Sequence, residues 1–494
     1  MNPLANGPKK GQKSSAFKVQ LGGRKHRLRM PPAPGKGGTT PIEVTSMSPA
    51  MVQRLFWRAG FGPSPADMAA WTGKPAADAV EYLLSTGPQQ FTGTAATKGD
   101  PNNGSSAVAL DPFGDDDDLV ANWLDRMIRG TNPLIERLMF FWHRHWANSR
   151  AEVSPPQLLT VQQRTFEKYS DFSGSGAART FVEMAQEITV DPSMLRYLTG
   201  ESNFKGAPNE NYARELMELF GLGILNASGQ PNYSEEDVKQ LSKALSGWQI
   251  NDADPNNPTS YFTESRWYNG PKAALGGFGN WKTPDAVVQV LSQPAHARFI
   301  VLKLWHEFVV GDPDQATLDA LTKVYLDSNK QLKPLLKAIL TNPALFASID
   351  EPNMIKPPVV YVVGAFRALG LGITPKTYPL LSGYLGSMGQ VPFFPPTVAG
   401  WEGGLSWLNT NTALARFDFA AALCGAQPID DVVGETSQAA FARAHAAVGS
   451  PWLAPGTQQA LTEFAASASF KNNRKARQIA LRALMLAGPD GQVM

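Results

Sequence analysis

Apolar residues recur at intervals of three and four along most of the chain, the period of helices that keep one face in a core. The pattern predicts helices over 120–129, 133–147, 156–170, 177–189, 209–221, 234–247, 283–310, 314–328, 331–346, 357–369 and 411–424, with a further set from Ser437 onward. Strand-like alternation is confined to 260–263 and the glycine-rich 268–281, where a short hairpin or irregular flap is expected. Start signals agree with this reading. Ser48-Pro49, Ser64-Pro65 and Lys74-Pro75 each place proline at a helix start, and Ser234 with Asp237 is close to a capping box. The polar stretch 93–118 reads as a long loop. It ends in an aspartate run, 115–118, that suits a helix N-terminus and lacks the spacing of an EF-hand calcium loop. The fold class is therefore all-α. A large multi-helix globular body is expected over 43–425, with a short irregular β flap, and a C-terminal helical subdomain over 426–494.

Composition narrows the class further. With 494 residues and 43% hydrophobic content the chain can bury a sizeable core. Its single cysteine, Cys424, excludes an intramolecular disulfide or a Cys-rich metal centre. The longest apolar run, 359–373, is interrupted by Arg367 and glycines and is too short for a bilayer, so no membrane span is expected. Charge is uneven. Residues 1–42 hold nine of the 45 Lys+Arg and no acid, while the rest of the chain is net acidic by seven. This basic arm, rich in Gly, Pro and Ser, reads as disordered. It has no apolar core of a secretory signal, so cytoplasmic is the default location. An acidic body argues against a nucleic-acid partner.

Two segments carry unusual polar groups. Over 133–147 the apolar positions run nearly all round the helix, which is the mark of a buried one. They carry Glu136, His143 and His145 into the core. His143 and His145 lie about 200° apart on a regular helix, so together they grip one metal only if the helix unwinds near Asn148. Core histidines satisfied by hydrogen bonds are the competing reading. Over 208–221, Ala213, Leu216, Met217 and Phe220 form a core stripe, and Glu210, Arg214 and Glu218 form a separate polar row beside Asn209 and Asn211. On a surface such a row is an ion-pair ladder; buried, it is a network in which Arg214 keeps the acids ionised. Each segment is the natural partner of the other. The expectation is that they pack together with His143 or His145 reaching Glu210, Arg214 or Glu218. Further candidates for a cleft that binds a ligand are Trp248, Lys356, Trp401, Trp407, Asn409 and Arg416, which lie in or beside loops rich in Trp, Phe, Pro and Gly.

The run Asn209-Glu210-Asn211-Tyr212-Ala213-Arg214-Glu215-Leu216-Met217-Glu218-Leu219 resembles the bacterial Domain of Unknown Function 1800 family, as do Asp191-Pro192 with Met194-Leu195, Phe141-Trp142-His143 with His145, and Pro395-Pro396 with Gly400-Trp401 and Trp407-Leu408-Asn409. The resemblance extends from about Met51 to Leu423. It implies a helical fold and a bacterial protein, often encoded beside an exported sulfatase-like partner, and relatives that are exported. It implies no reaction. Relatives usually carry a His-Asp pair where this chain has Arg266-Trp267-Tyr268-Asn269, which weakens a metal-dependent reading.

Two functional readings stay open. One is an enzyme, a hydrolase acting on an envelope-associated or glycan or ester substrate. In it His143 and His145 are base or metal ligands, Glu210 is acid, base or ligand, Arg214 binds an anion or sets a pKa, Glu218 completes the site, and the cofactor is a divalent metal on His143, His145 and Glu210. The other is a non-catalytic binding or assembly protein working with an exported partner.

Overall fold

Serine and proline set the helix starts as their spacing suggests. The Ser48 Oγ accepts a hydrogen bond from the Met51 N–H at 3.3 Å, with Pro49 at the first helical position. Ser64 with Asp67 and Ser234 with Asp237 close full capping boxes. Asp115 caps Asp116–Arg129 through the N–H groups of Asp117 and Asp118, so the aspartate run serves a helix N-terminus. The computed structural model describes residues 43–85, 87–100, 106–174, 179–350, 353–467 and 473–494; the expected basic arm lies outside them. Among the described residues there are twenty α-helices and three two-stranded antiparallel sheets. None of the helices is long and apolar enough to cross a membrane.

Two expectations need correction. The 283–310 segment is two helices, Thr283–Leu291 and Pro294–Phe308, because Pro294 lacks an N–H and drives Gln293 into an extended conformation. Strands also occur outside 260–281. Thr97–Gly99 pairs with Ala107–Ala109, and Trp248–Asn251 pairs with Thr259–Phe262, beside the expected Lys272–Ala274 and Gly277–Gly279 hairpin. Strands of three or four residues are too short to show a period in sequence. The first hairpin is held to the body by Lys98, whose ammonium lies 2.6 Å from the buried Asp118 carboxylate.

The interior is organised round two helices that are apolar on nearly every side, Pro133–His145 and Pro358–Ala368. Asp116–Arg129 packs against both, and Gln157–Ser170 covers another face of Pro133–His145. Pro294–Phe308, Gln315–Asp327 and Leu332–Leu340 pack in succession. At the C-terminal end, Arg474–Ala487 lies against Thr410–Ala426 and Ser437–Ala447.

Candidate functional site

Burial of Pro133–His145 forces each of its polar groups to find a partner inside. Glu136 is fully buried and accepts hydrogen bonds from the Trp123 indole at 3.0 Å, the Arg126 Nε at 3.1 Å and the Gln89 amide at 3.3 Å. Burial alone would lower the Arg126 pKa, but Glu136 and Glu167 outweigh it and raise it. His143 is also buried. Its Nε2 accepts the Phe393 backbone N–H at 3.0 Å, and its ring lies between those of Trp123, Phe393 and Trp401. Burial pulls its pKa down to about 3, so the imidazole is neutral. The loop carrying Trp401 approaches so closely that a Cβ on Gly400 would sit 2.6 Å from the Arg144 carbonyl, and Gly400 has φ +80. His143 and Trp401 are thus brought together, in a closed aromatic box.

His145 belongs to a different arrangement. After Asn211–Glu215 the second motif continues as a π-helix over Leu216–Gly221, an uncommon geometry often found at functional sites. Its last three carbonyls are each taken by a basic side chain. The Lys303 ammonium is 2.8 Å from the Leu219 carbonyl, His145 Nε2 is 3.2 Å from that of Phe220, and His296 Nδ1 is 2.9 Å from that of Gly221. Carbonyl acceptors fix the tautomers. His145 carries its proton on Nε2 and offers Nδ1 to Lys303 at 3.3 Å; His296 carries its proton on Nδ1 and accepts the Tyr325 hydroxyl at 3.0 Å. Burial lowers the pKa of all three bases, to about 7 for Lys303 and about 4 for His296. A Cβ on Gly221 would meet the Leu216 carbonyl at 2.7 Å, so glycine is required where the π-helix ends.

The two motifs therefore meet only at one end, where His145 reaches the last turn of the π-helix, and not through the atoms expected. His145 meets the end of the second motif through backbone, and neither histidine hydrogen-bonds Glu210, Arg214 or Glu218. The reason is orientation. The apolar stripe and terminal carbonyls face the core, while the polar row faces outward. Arg214 makes a two-pronged pair with Glu235 at 2.7 Å and reaches Glu210 at 3.3 Å, and Glu218 accepts the Tyr233 hydroxyl at 3.0 Å. Asn209 and Asn211 both donate to the Thr199 hydroxyl, at 2.9 and 3.0 Å.

The other candidates are spread over the fold. Trp248 donates to the Thr283 hydroxyl at 2.9 Å, and Asn409 closes a capping box for Thr410–Ala426. Trp407 is buried in the short turn before it. Lys356 and Arg416 come together, but inside. Arg416 donates to the Lys356 carbonyl at 2.8 Å and the Gln492 side chain at 2.9 Å, while the Lys356 ammonium lies 3.7 Å from the Trp57 ring centre and donates to the Gly491 carbonyl. They tie the C-terminal segment to the body. No group of three or more His, Cys, Asp or Glu among the described residues could hold a metal ion, so the ligand set His143, His145 and Glu210 does not assemble.

The family described as "Protein of unknown function (DUF1800)" matches residues 54–493. The chain belongs to that family. No curated protein and no solved structure matches it. Trp267 is buried, with the Lys272 and Lys282 ammonium groups 4.2 and 5.0 Å from its ring centre.

Open cavities lie elsewhere. A groove of about 770 Å³ beside Trp57 and Phe61 contains three charged groups, all committed: Arg367 to the carbonyls of Met127, Ile128 and Gly130, Arg129 to Asp125, and Asp67 to its capping box. A second cavity of about 570 Å³ opens between the loop after the π-helix and Pro294–Phe308. Its walls are mainly apolar, from Leu222, Leu225, Pro294, Phe299 and Leu302, and Arg298 lines it too. Arg298 is partly exposed and has no hydrogen-bond or ion-pair partner among the described residues. Ala295, Arg298, Phe299 and Leu302 keep i, i+3, i+4, i+7 spacing, and Lys303 is next on that stripe, its ammonium 4.8 Å from the Phe299 ring centre. Sequence reasoning passed over Arg298, Phe299, Lys303 and His296. The available signal was a cation row set into an otherwise apolar helical stripe.

Proposed function

We propose that the protein is a small-molecule-binding protein whose site is the cavity beside Arg298, and whose ligand is a small amphipathic anion. The observation that carries this reading is a guanidinium with no partner among the described residues, in a mainly apolar cavity of about 570 Å³, within the range of ligand pockets. An apolar body would lie against Phe299, Leu302 and Leu225, and a carboxylate would give Arg298 the two-pronged partner that its fork geometry favours. A hydrolase built on His143, His145, Glu210, Arg214 and Glu218 has less support. The His143 Nε2 and both ring nitrogens of His145 are already hydrogen-bonded, and the acids lie on another face.

Calorimetric titration with 3-phenylpropanoate tests the reading. Wild type should bind it, Arg298→Ala should weaken binding about tenfold or more, and the neutral alcohol 3-phenylpropanol should bind more weakly than the acid. No binding by wild type, or equal binding by the variant, would overturn it.

A further inference from the structure

We propose that Lys303 is an amine nucleophile, and that the ligand of this cavity is an apolar oxo acid whose carbonyl carbon forms a Schiff base with it. The inference rests on the binding reading above and deepens it by naming a reaction.

Three observations carry it. The first is position. Lys303 extends the cavity-facing stripe of Pro294–Phe308 by one turn beyond Phe299, whose ring is shared between the cavity wall and the Lys303 amine. The residue keeps part of its surface in solvent, and its amine sits just behind the cavity lining, against the Phe299 ring. The second is partnership. Its two polar contacts are neutral acceptors, the Leu219 carbonyl at 2.8 Å and His145 Nδ1 at 3.3 Å, and no carboxylate pairs with it among the described residues. The hydrogen bond from His145 Nε2 to the Phe220 carbonyl fixes Nδ1 as an acceptor. A neutral amine has two N–H bonds and one lone pair. Those two acceptors take both N–H bonds and leave the lone pair free, whereas the third N–H of a protonated amine would have only the Phe299 ring face to meet. The third is electrostatics. Burial, with the nearby Arg144 guanidinium, lowers the ammonium to about 7, so a large share is the nucleophilic free base near neutrality.

The chemistry balances without a redox partner. The amine lone pair attacks the carbonyl carbon and forms a C–N bond. Two protons from nitrogen pass to the carbonyl oxygen, which leaves as water, and a C=N bond remains. Arg298 would hold the acid group while this occurs, and His145, acting through Lys303, is a positioning residue.

Phenylpyruvate is the probe, because it is 3-phenylpropanoate with a carbonyl added. The full chain would be incubated with it and sodium cyanoborohydride near neutral pH, then mapped by peptide mass. Lys303 should be labelled about tenfold or more faster than Lys323 and Lys337, whose side chains are 74% and 48% exposed, since an ordinary lysine is almost wholly protonated there. Arg298→Ala should slow labelling without moving it, and Lys303→Arg should abolish the fast label. Uniform slow labelling of wild type, with 3-phenylpropanoate still bound, would overturn the nucleophile and leave the binding reading standing. Failure of wild type to bind 3-phenylpropanoate would overturn the binding reading instead, and fast labelling of Lys303 in that case would still support its nucleophilicity.

Discussion

His143 Nε2 accepts a hydrogen bond from the Phe393 N–H, 250 residues further along the chain, and Phe393 holds φ +67 to deliver it. A bulky residue in the left-handed region is strained, and strain of that kind persists only where the surroundings fix it. Here the Phe393 ring packs on Trp123 and on His143 itself, and its carbonyl takes the Arg150 N–H at 2.8 Å. The imidazole is thus a structural acceptor that seats the 390–401 loop on the central helix.

His143→Phe keeps an aromatic ring, somewhat larger than imidazole, and removes the acceptor. It should cost about 1–3 kcal/mol, the penalty for stranding a buried N–H, and His143→Ala should cost more because it adds a cavity. Urea unfolding measures both. Wild-type stability for His143→Phe would mean that the Phe393 N–H finds another partner.

Arg214→Ala should leave the melting temperature within the range of ordinary surface substitutions. Its partner Glu235 is exposed and Glu210 is partly so, with 68% and 37% of their side-chain surface in solvent, and solvent screens such pairs. A loss as large as that from a core truncation would show that the row is buried in an assembly.

Much of the fold was legible because helix caps and apolar periodicity are local. Ser48-Pro49, Ser64-Pro65 and Ser234 with Asp237 each mark a helix start, and the all-round apolar character of 133–145 marks it as interior. Tertiary partners were not legible. Nothing local to Glu136 points to Trp123, Arg126 and Gln89 rather than to His143, which shares its helix face. Nor does the run 216–221 announce a π-helix, since its extra residue per turn depends on bases supplied from Pro294–Phe308 and Pro133–His145. The cavity escaped notice for the same reason. Arg298 is informative only because nothing among the described residues pairs with it, and a missing partner cannot be read from a chain.

Glu136→Gln should be among the most damaging conservative changes. The amide keeps the shape but presents an N–H₂ group to donors from Trp123, Arg126 or Gln89, and it removes a carboxylate opposite Arg126. Breaking a buried pair in this way costs about 3 kcal/mol or more. Thermal unfolding of the variant tests this, and near-wild-type stability would show that Glu167 alone suffices to hold Arg126.

The last expectation is a stability maximum on the alkaline side of neutrality. Burial lowers the folded-state pKa of Lys303 and Lys356 to about 7 and of Lys272 to about 8. In the unfolded chain each titrates near about 10.4. Between those values the unfolded chain holds more protons than the folded one, so stability must rise with pH through that window. The destabilisation is fully present below about 7 and disappears as pH approaches about 10. On the acid side the effects oppose one another. His143 and His296, lowered to about 3 and about 4, make stability fall as pH drops below about 6.5. Asp191, raised to about 6 by burial, works the other way, as do Glu136 and Glu215. Above about pH 10 the buried tyrosines Tyr361 and Tyr212, which burial pushes up, keep their protons in the fold and turn the curve down. Urea midpoints should therefore climb from about pH 7 to about pH 9. Lys356→Met should flatten that climb, whatever it does to stability at a single pH, because it deletes one of the lowered ammonium groups. A flat or falling curve in wild type over that interval would show that these amines stay charged in the folded protein, and would remove the free-base argument for Lys303.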